Sequence, residues 1–262
     1  MRIQALRTGV VRERKGTRGV SRYLWAGWRD AALPVNAFLI DHPAGYCLFD
    51  SGQDVQAAKR GYFPRWHPFF RLARFELEAE DEAEAQLAAF GIEPRDLRWT
   101  VLSHLHTDHV GGLAPFRESE VVVARAEWAR SRGLSGRIRG YLPQHWPRGL
   151  KPRLLDLEAD GFGPFPGSHD LAGDGRLLIV ATGGHTQGHV SLLVRRPEGD
   201  VLLGGDLAHT ADDLEQLAPD VAAYCAENGI TYVGAHDWDA EAAVEALEVD
   251  RAHCPDLPTR RR

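Results

Sequence analysis

A dense cluster of metal-ligand side chains follows a short apolar run in the middle of the chain. Four of them fall within six positions of "SHLHTDHVGG": His104, His106, Asp108 and His109. In an extended or turning loop, residues two apart point the same way and the next pair turns aside, so one loop can serve two adjacent metal ions. Imidazole and carboxylate are ligands of zinc and similar metals. A polar loop with incidental histidines is the alternative, and the density of the cluster favours a metal site.

Three later motifs add candidates, each at the end of a strand-like segment. They are His185 and His189 in "TGGHTQGHV", Asp206 and His209 in "LLGGDLAHT", and His236 and Asp237 in "VGAHDWD". The chain has 12 histidines, so some pairs arise by chance. We interpret the histidines without such a setting as surface or packing residues: His42, His67, His145, His169 and His253.

The bulk composition is that of an ordinary soluble globular protein. The chain has 262 residues, 44% hydrophobic and 26% charged, and we expect one domain over residues 1–262. A formal charge of −6 argues against a general nucleic-acid binder, which needs a basic face. We find no signal peptide and no run near the roughly 20 apolar residues of a membrane span, so we expect a cytoplasmic protein without membrane partners.

The cysteines do not form a recognisable framework. Cys47, Cys225 and Cys254 are odd in number and lack CxxC spacing, which argues against disulfides and against a cysteine-built zinc site. We expect mostly buried thiols in a reducing compartment.

Short apolar runs alternate with turn signals along the chain and predict an α/β fold with helices on the outer faces of its sheets. "NAFLIDHPAGYCLFDSG" predicts a β-hairpin, and "RWTVLS" and "EVVVA" predict buried strands. "FELEAEDEAEAQLAAFGI" predicts a helix with Leu87 and Phe90 on its apolar side, ended by Gly91. Residues 61–75 and 139–153 fit no element and are interpreted as irregular lids or substrate walls.

The motifs occur in an order that resembles a known family. The motifs, in chain order, are "LFDSG", "HLHTDHVGG", "GGHTQGHVSLL", "GGDLAH" and "GAHD". The ordered set resembles the metallo-β-lactamase fold superfamily over about residues 36 to 237. The resemblance implies a four-layer αββα sandwich with a two-metal site at one edge of the sheets.

The resemblance also implies a role for each matching residue. The first metal would be held by His104, His106 and His189, the second by Asp108, His109 and His236, with Asp206 between them. It implies that His185 orients its loop and that Asp50 supports the site, or else only forms its turn. Several glycines would permit tight backbone paths beside the metals: Gly111, Gly112, Gly183, Gly184 and Gly188.

Two divalent ions about 3.5–4 Å apart can share a water and bring its pKa near neutrality, which yields a bridging hydroxide nucleophile. Such a site suits hydrolysis of esters, lactones, thioesters, amides or phosphoesters. Asp108 could also pass a proton to the leaving group, or act only as a ligand. Zinc is the default metal, and the ligands also accept manganese, iron or cobalt.

Within the superfamily, the chain is most similar to the N-acyl homoserine lactonase group. Asp206 stands where one class of true β-lactamases has cysteine, and the part after His236 is too short for the glutathione-binding region of glyoxalase II enzymes. One departure is His209, at the position of the tyrosine by which these lactonases contact substrate. His209 could donate a hydrogen bond to substrate or face solvent. The aromatic segment from Tyr62 to Phe75 could form an acyl-chain wall, pack internally or support a homodimer.

We therefore expect a dinuclear-metal hydrolase that opens a lactone or cleaves a carboxylic ester of small acyl substrates, with N-acyl homoserine lactones (quorum quenching) as one candidate. Phosphoester or phosphotriester hydrolysis is the alternative enzyme activity, with an anion contacted by Arg65, Arg71 and Arg74. A metal-binding sensor with little turnover is the alternative from another class.

Overall fold

Two β-sheets face each other across a shared apolar interior. The structure is a computed structural model, and it describes residues 1–12, 32–67, 70, 73–157 and 161–252, with side chains described up to residue 246. One sheet has seven strands in the order β4-β1-β2-β3-β5-β6-β7, and the other has five in the order β12-β11-β10-β9-β8. The strands are β1 (Arg2–Arg12), β2 (Leu33–His42), β3 (Gly45–Phe49), β4 (Arg74–Glu76), β5 (Leu97–Val101), β6 (Glu120–Ala124), β7 (Arg153–Leu155), β8 (Ser168–Asp170), β9 (Leu177–Ala181), β10 (Val190–Val194), β11 (Val201–Leu203) and β12 (Thr231–Val233).

The helices of the described chain are short, apart from the last two. The α-helices are α1 (Ala83–Ala89), α2 (Thr107–Val110), α3 (Arg125–Arg130), α4 (Gly133–Ile138), α5 (Ala211–Leu217), α6 (Pro219–Asn228) and α7 (Ala240–Ala252). Turns of 3-10 helix cover Val55–Ala58, Ala79–Asp81, Pro94–Asp96, Gly111–Phe116 and Pro143–His145. Local signals explain two of the ends: the Thr210 side chain accepts from the Asp213 N–H at the start of α5, and Gly229 ends α6 at φ 63°.

Alternation along the strands assigns each side chain to one of two layers. In β2, Phe38 and Ile40 belong to the core between the sheets, whereas Leu39 faces the outer helices. In β9, Ile179 faces the first sheet and Val180 faces the opposite way. The sequence-based prediction of an αββα sandwich is therefore confirmed.

The outer layers are made by helices and loops. Ala83 and Leu87 of α1 pack on the outer face of the seven-stranded sheet. Leu214 of α5 and Val221 of α6 pack on the outer face of the five-stranded sheet. Helix α7 differs, because its Val244 enters the core between the two sheets and closes one side of the sandwich.

Strand direction determines where the loops meet. Strands β2 and β3 form the predicted antiparallel hairpin, with the turn at Pro43 and Ala44. Strand β3 then pairs in parallel with β5, β5 with β6, and β11 with β12. The carboxyl ends of β5, β11 and β12 lie at the same edge of the sandwich, where Val190 N–H donates to Ser103 O (2.9 Å) between the sheets.

Parts of the helix prediction for residues 75–92 are wrong. Residues Arg74–Glu76 form an edge strand on β1, and the α-helix begins only at Ala83. Leu87 is buried as predicted, but Phe90 is 54% exposed, because the helix ends there and Gly91 turns the chain at φ 74°.

The segment 139–153, interpreted above as an irregular lid or substrate wall, is packed into the protein more than expected. Tyr141, Leu142 and Trp146 are buried, and Tyr141 and Trp146 belong to the outer core of the first sheet. In the segment 61–75, Phe63 stacks on Phe70 with ring centroids 4.6 Å apart. Internal packing therefore accounts for much of both segments.

Cys47 and Cys225 are buried free thiols, as predicted, and burial raises the pKa of Cys225 to about 11. Cys254, His253 and Arg71 lie outside the described residues. Across the described part of the chain, every helix is too short or too polar to cross a membrane.

Candidate metal centre

The predicted ligands converge at the edge of the sandwich where strands of both sheets end. The loop after β5 carries His104, His106, Asp108 and His109, and these come from the first sheet. The second sheet contributes the loops after β9, β11 and β12, with His185, Asp206 and His236. The site therefore forms only where the two sheets meet.

Three histidines form the first cluster. His104 Nε2 lies 3.0 Å from His106 Nδ1, which lies 2.9 Å from His185 Nε2. On the far side of its ring, His106 Nε2 lies 3.2 Å from the carbonyl oxygen of Arg139. A carbonyl only accepts, so Nε2 carries the hydrogen and Nδ1 presents a lone pair to the other two rings. Three nitrogens aimed at one point form a ready site for a cation.

The second cluster contains Asp108, His109 and His236, whose ligand atoms lie within 4.8 Å of one another. His109 Nδ1 donates to Asp50 Oδ2 (2.8 Å), and His236 Nδ1 donates to the carbonyl oxygen of Pro34 (2.7 Å). These bonds on the outer side of each ring direct both Nε2 atoms towards the cluster.

Asp206 lies between the two clusters. Its Oδ1 is 3.1 Å from His109 Nε2 and 3.2 Å from His236 Nε2. Its Oδ2 is 3.4 Å from His185 Nε2 and 3.9 Å from His104 Nε2. Each carboxylate oxygen thus faces a different cluster, which is the arrangement required of a bridging ligand.

Two buried atoms of this site are better arranged to coordinate a metal than to form a hydrogen bond with each other. His109 Nε2 and Asp206 Oδ1 lie 3.1 Å apart, yet neither makes a well-oriented hydrogen bond to a described residue. Buried polar atoms are nearly always satisfied. Nitrogen and carboxylate oxygen in this number suit zinc and related divalent ions, so the donor set fits a metal centre.

The charges around the site move the pKa values in opposite directions. Burial, followed by the charge of His185, lowers the pKa of His106 to about 4. Burial also acts to lower the pKa of His236, but Asp206 outweighs it and raises that pKa to about 9. Burial acts to raise the pKa of Asp206, while His109 and His236 hold it well below its usual range.

The contacts of His189 do not agree with its predicted role as a ligand of the first metal. Its Nε2 accepts the backbone N–H of Asp206 (3.0 Å), and its Nδ1 lies 2.7 Å from Thr182 Oγ1. Both ring nitrogens are therefore engaged away from the cluster. His185, predicted only to orient the loop, lies instead with His104 and His106. His189 holds the loop that carries Asp206.

Of the two roles considered for Asp50, the structure agrees with support of the site. Its Oδ1 accepts the Ser103 N–H (2.7 Å), and its Oδ2 accepts from Ser103 Oγ (2.8 Å) as well as from His109. Asp50 has φ 60°, which is costly for a residue with a side chain. The three hydrogen bonds offset that strain and fix the position of the loop after β5.

A cavity of about 300 Å³ opens onto both clusters. Asp108 and His209 line it, and the His209 ring lies 5.0 Å from that of His236. The opposite wall is apolar and includes Phe70 of the predicted aromatic segment. The apolar lining residues are Val11, Leu33, Phe70 and Ile138.

Sequence reasoning missed His67, which also lines this cavity and lies 3.0 Å from the carbonyl oxygen of Ile138 through Nε2. The sequence held no signal for it, because His67 stands in an irregular segment without a motif. Arg65 and Arg74, considered above as anion contacts, line a separate groove, so the described geometry does not favour a phosphoester.

The comparisons with known proteins agree with this fold. The model of the metallo-beta-lactamase superfamily matches residues 30–251. The chain belongs to this superfamily and is an enzyme of the metal-dependent hydrolase type.

Two curated relatives are N-acyl homoserine lactonases named AttM. The chain is 34% identical to the protein of Azorhizobium caulinodans over 196 residues, which cover 72% of this chain and 70% of the relative. It is 31% identical to the protein of Agrobacterium fabrum over 235 residues, which cover 81% and 85%.

A solved structure shares the fold at lower identity. It is an N-acyl homoserine lactone hydrolase with the product N-hexanoyl-L-homoserine bound at its catalytic metal centre. The TM-score is 0.69 at 20% identity, and the match covers 92% of this chain and 95% of the other.

Proposed function

We propose that this protein is a dinuclear-metal hydrolase that opens the ring of N-acyl homoserine lactones or closely related lactones and esters. The observation that carries the proposal is the division of the Asp206 carboxylate, with one oxygen facing each histidine cluster. The lactonase names of the relatives above 30% identity support the choice of substrate class.

The proposed ligand sets follow the distances. The first ion would be held by His104, His106 and His185, the second by Asp108, His109 and His236, and Asp206 would serve both. Zinc is the first choice of metal, and manganese, iron and cobalt suit the same donors. When bound, such a pair of ions supplies an activated water at neutral pH and polarises a carbonyl.

The protein's own groups provide the remaining requirements. The Asp108 side chain is 16% exposed and lines the cavity, so its carboxylate could take up the proton released when water adds to the lactone carbonyl and pass it to the leaving alkoxide of the opened ring. His209 lines the same cavity, and we assign it the role of donating a hydrogen bond to substrate. The apolar wall at Phe70 and Ile138 can receive an acyl chain and exclude water from it.

A substrate panel tests the proposal. Protein of measured zinc, manganese or cobalt content is incubated with N-hexanoyl and N-decanoyl homoserine lactone, an aryl ester and an aryl phosphotriester, and ring opening is followed by proton release. We expect lactone turnover that requires metal and exceeds turnover of the phosphotriester. Preference for the phosphotriester, or bound metal without hydrolysis of any compound, would remove the lactonase proposal.

Replacement of His209 tests its contact with substrate. We expect His209→Phe to lower kcat/KM for lactones by about 10- to 100-fold, because one hydrogen bond to a charged oxygen is worth roughly 1.5–3 kcal/mol. His209→Tyr restores a donor and should recover part of the loss. Equal activity of the Phe variant and the native protein would place His209 outside the reaction.

A further inference from the structure

Glu127 is a fully buried carboxylate to which the proposed ligand sets give no role. It lies on α3, directly after β6, and is 0% exposed. A buried carboxylate is costly unless hydrogen bonds satisfy it. Its hydrogen-bond donors therefore show which parts of the molecule it connects.

The two oxygens of Glu127 connect loops from the two sheets. Oε1 accepts the backbone N–H of Leu105 (3.0 Å), the residue between His104 and His106. Oε2 accepts from Thr186 Oγ1 (2.8 Å), the residue after His185. One carboxylate thus joins the chain positions next to all three histidines of the first cluster.

A third contact reaches the cluster through an aromatic ring. The Tyr141 side chain lies near Glu127: burial, followed by the charge of this carboxylate, raises the pKa of Tyr141. The Tyr141 ring packs on His106 with centroids 5.1 Å apart. Gly188 also lies against the backbone of Glu127, where any larger residue would collide. The loop after β9 therefore rests directly on the start of α3.

We propose that Glu127 is a positioning residue that holds His104, His106 and His185 at the spacing needed for the first metal ion. The inference rests on the metal centre of the proposed function but not on the identity of the substrate. A purely structural Glu127 would stabilise the fold without affecting the metal.

Glu127→Gln is the variant that separates these roles, since it keeps the size of the side chain. An amide presents one acceptor and one donor group, so it cannot accept from both Leu105 and Thr186 in the native manner. The matched control is Asp170→Asn, because each oxygen of Asp170 likewise accepts one hydrogen bond, here from the backbone N–H groups of Gly173 and Gly175, and Asp170 lies on a strand outside the site.

Metal-free protein is titrated with Co²⁺, and its visible absorption spectrum and affinity are recorded. We expect Glu127→Gln to weaken binding of one of two ions by about 10- to 100-fold and to alter the spectrum of that ion, as loss of a group supporting a ligand does. Asp170→Asn should leave both unchanged. Native Co²⁺ affinity and spectrum in Glu127→Gln would overturn the proposal.

Thr186→Val and Thr186→Ser provide a second comparison if Glu127→Gln does not fold. The valine removes one hydrogen bond to Glu127, so Thr186→Val should bind the same ion more weakly. The serine keeps the hydroxyl, so Thr186→Ser should bind that ion with native affinity. Equal affinities in the two variants would contradict the inference. If the native protein binds two Co²⁺ ions and opens no lactone, the proposed function fails while this test remains decisive.

Discussion

At the scale of single residues, the site depends on which ring nitrogen each histidine presents. His106 uses Nδ1 because Arg139 O engages its Nε2, whereas His109 and His236 use Nε2 because Asp50 and Pro34 engage their Nδ1 atoms. These choices follow from hydrogen bonds on the outer side of each ring, and most of those partners are distant in sequence.

The sequence therefore predicted the ligand types better than their individual positions. The cluster in "HLHTDH" is local, so its members could be named from spacing alone. The choice between His185 and His189 could not, because it depends on the contacts of His189 with Thr182 and with the backbone of Asp206. Those contacts exist only once β9, β10 and β11 have paired.

Two alanine variants test that choice. His185→Ala should reduce bound metal from about two ions per chain to about one, because it removes a nitrogen of the first cluster. His189→Ala should keep both ions at saturating metal but bind them more weakly, since it loosens only the loop of Asp206. Metal content after gel filtration measures both, with His169→Ala as a surface control. The reverse result would restore His189 as the ligand.

Metal binding should release protons at neutral pH. With its pKa raised to about 9, His236 carries a proton in the metal-free protein at pH 7.5, and ligation through Nε2 displaces it. We expect release of about one proton or more per chain, measured by calorimetry in two buffers of different ionisation enthalpy, and affinity that rises with pH up to about 9. Heats independent of the buffer would contradict this.

The same shift has a consequence for stability without metal. A histidine whose folded pKa exceeds its ordinary value of 6.5 stabilises the fold fully below that pH, and this contribution is lost as the pH rises through about 9. The free energy of unfolding of the metal-free protein should lose that contribution across this window, as urea unfolding at several pH values would measure.

At the scale of elements, the site is made of loops, but their positions are determined by strands and by helix α3. Strand existence was predictable from short apolar runs such as "RWTVLS" and "EVVVA", because such runs are a local signal. The packing of the loop after β9 on α3 was not, since it depends on the close approach of Gly188 to Glu127. A glycine in a motif indicates that the backbone packs closely there, but the sequence does not show which residue it packs against.

Gly188→Ala tests this approach. The added methyl group would collide with the backbone of Glu127 and push the loop that carries His185 away from α3. We expect a loss of about 1–3 kcal/mol in the free energy of unfolding and a lower affinity for the first metal ion. Gly161→Ala is the control, because its methyl group would meet only ordinary contacts. Chemical denaturation and Co²⁺ titration measure the two effects, and a Gly188→Ala variant equal to the control would exclude the clash.

At the scale of the whole molecule, bound metal should join the two sheets. Ligands come from both, and Asp206 contacts both clusters, so chelation should destabilise the sandwich as a unit. Each ion at a hundredfold excess over its Kd adds about 2.7 kcal/mol. We expect Tm to fall by several degrees in a chelator, measured by circular dichroism, with a much smaller response in Asp206→Asn. An identical Tm with and without metal would show that the ions do not link the sheets.

The order of the ligands along the chain bears on how the enzyme matures. The strands of the first sheet all lie between residues 2 and 155, and those of the second between residues 168 and 233. During synthesis the first sheet can therefore form while the second is still incomplete. The ligands from the first sheet are then synthesised before those from the second: His104, His106, Asp108 and His109. The last ligand in the chain, His236, follows the final strand. In the proposed two-metal centre, capture of both ions is consequently a late step, and a ribosome-bound chain stalled before β12 would hold at most an incomplete centre.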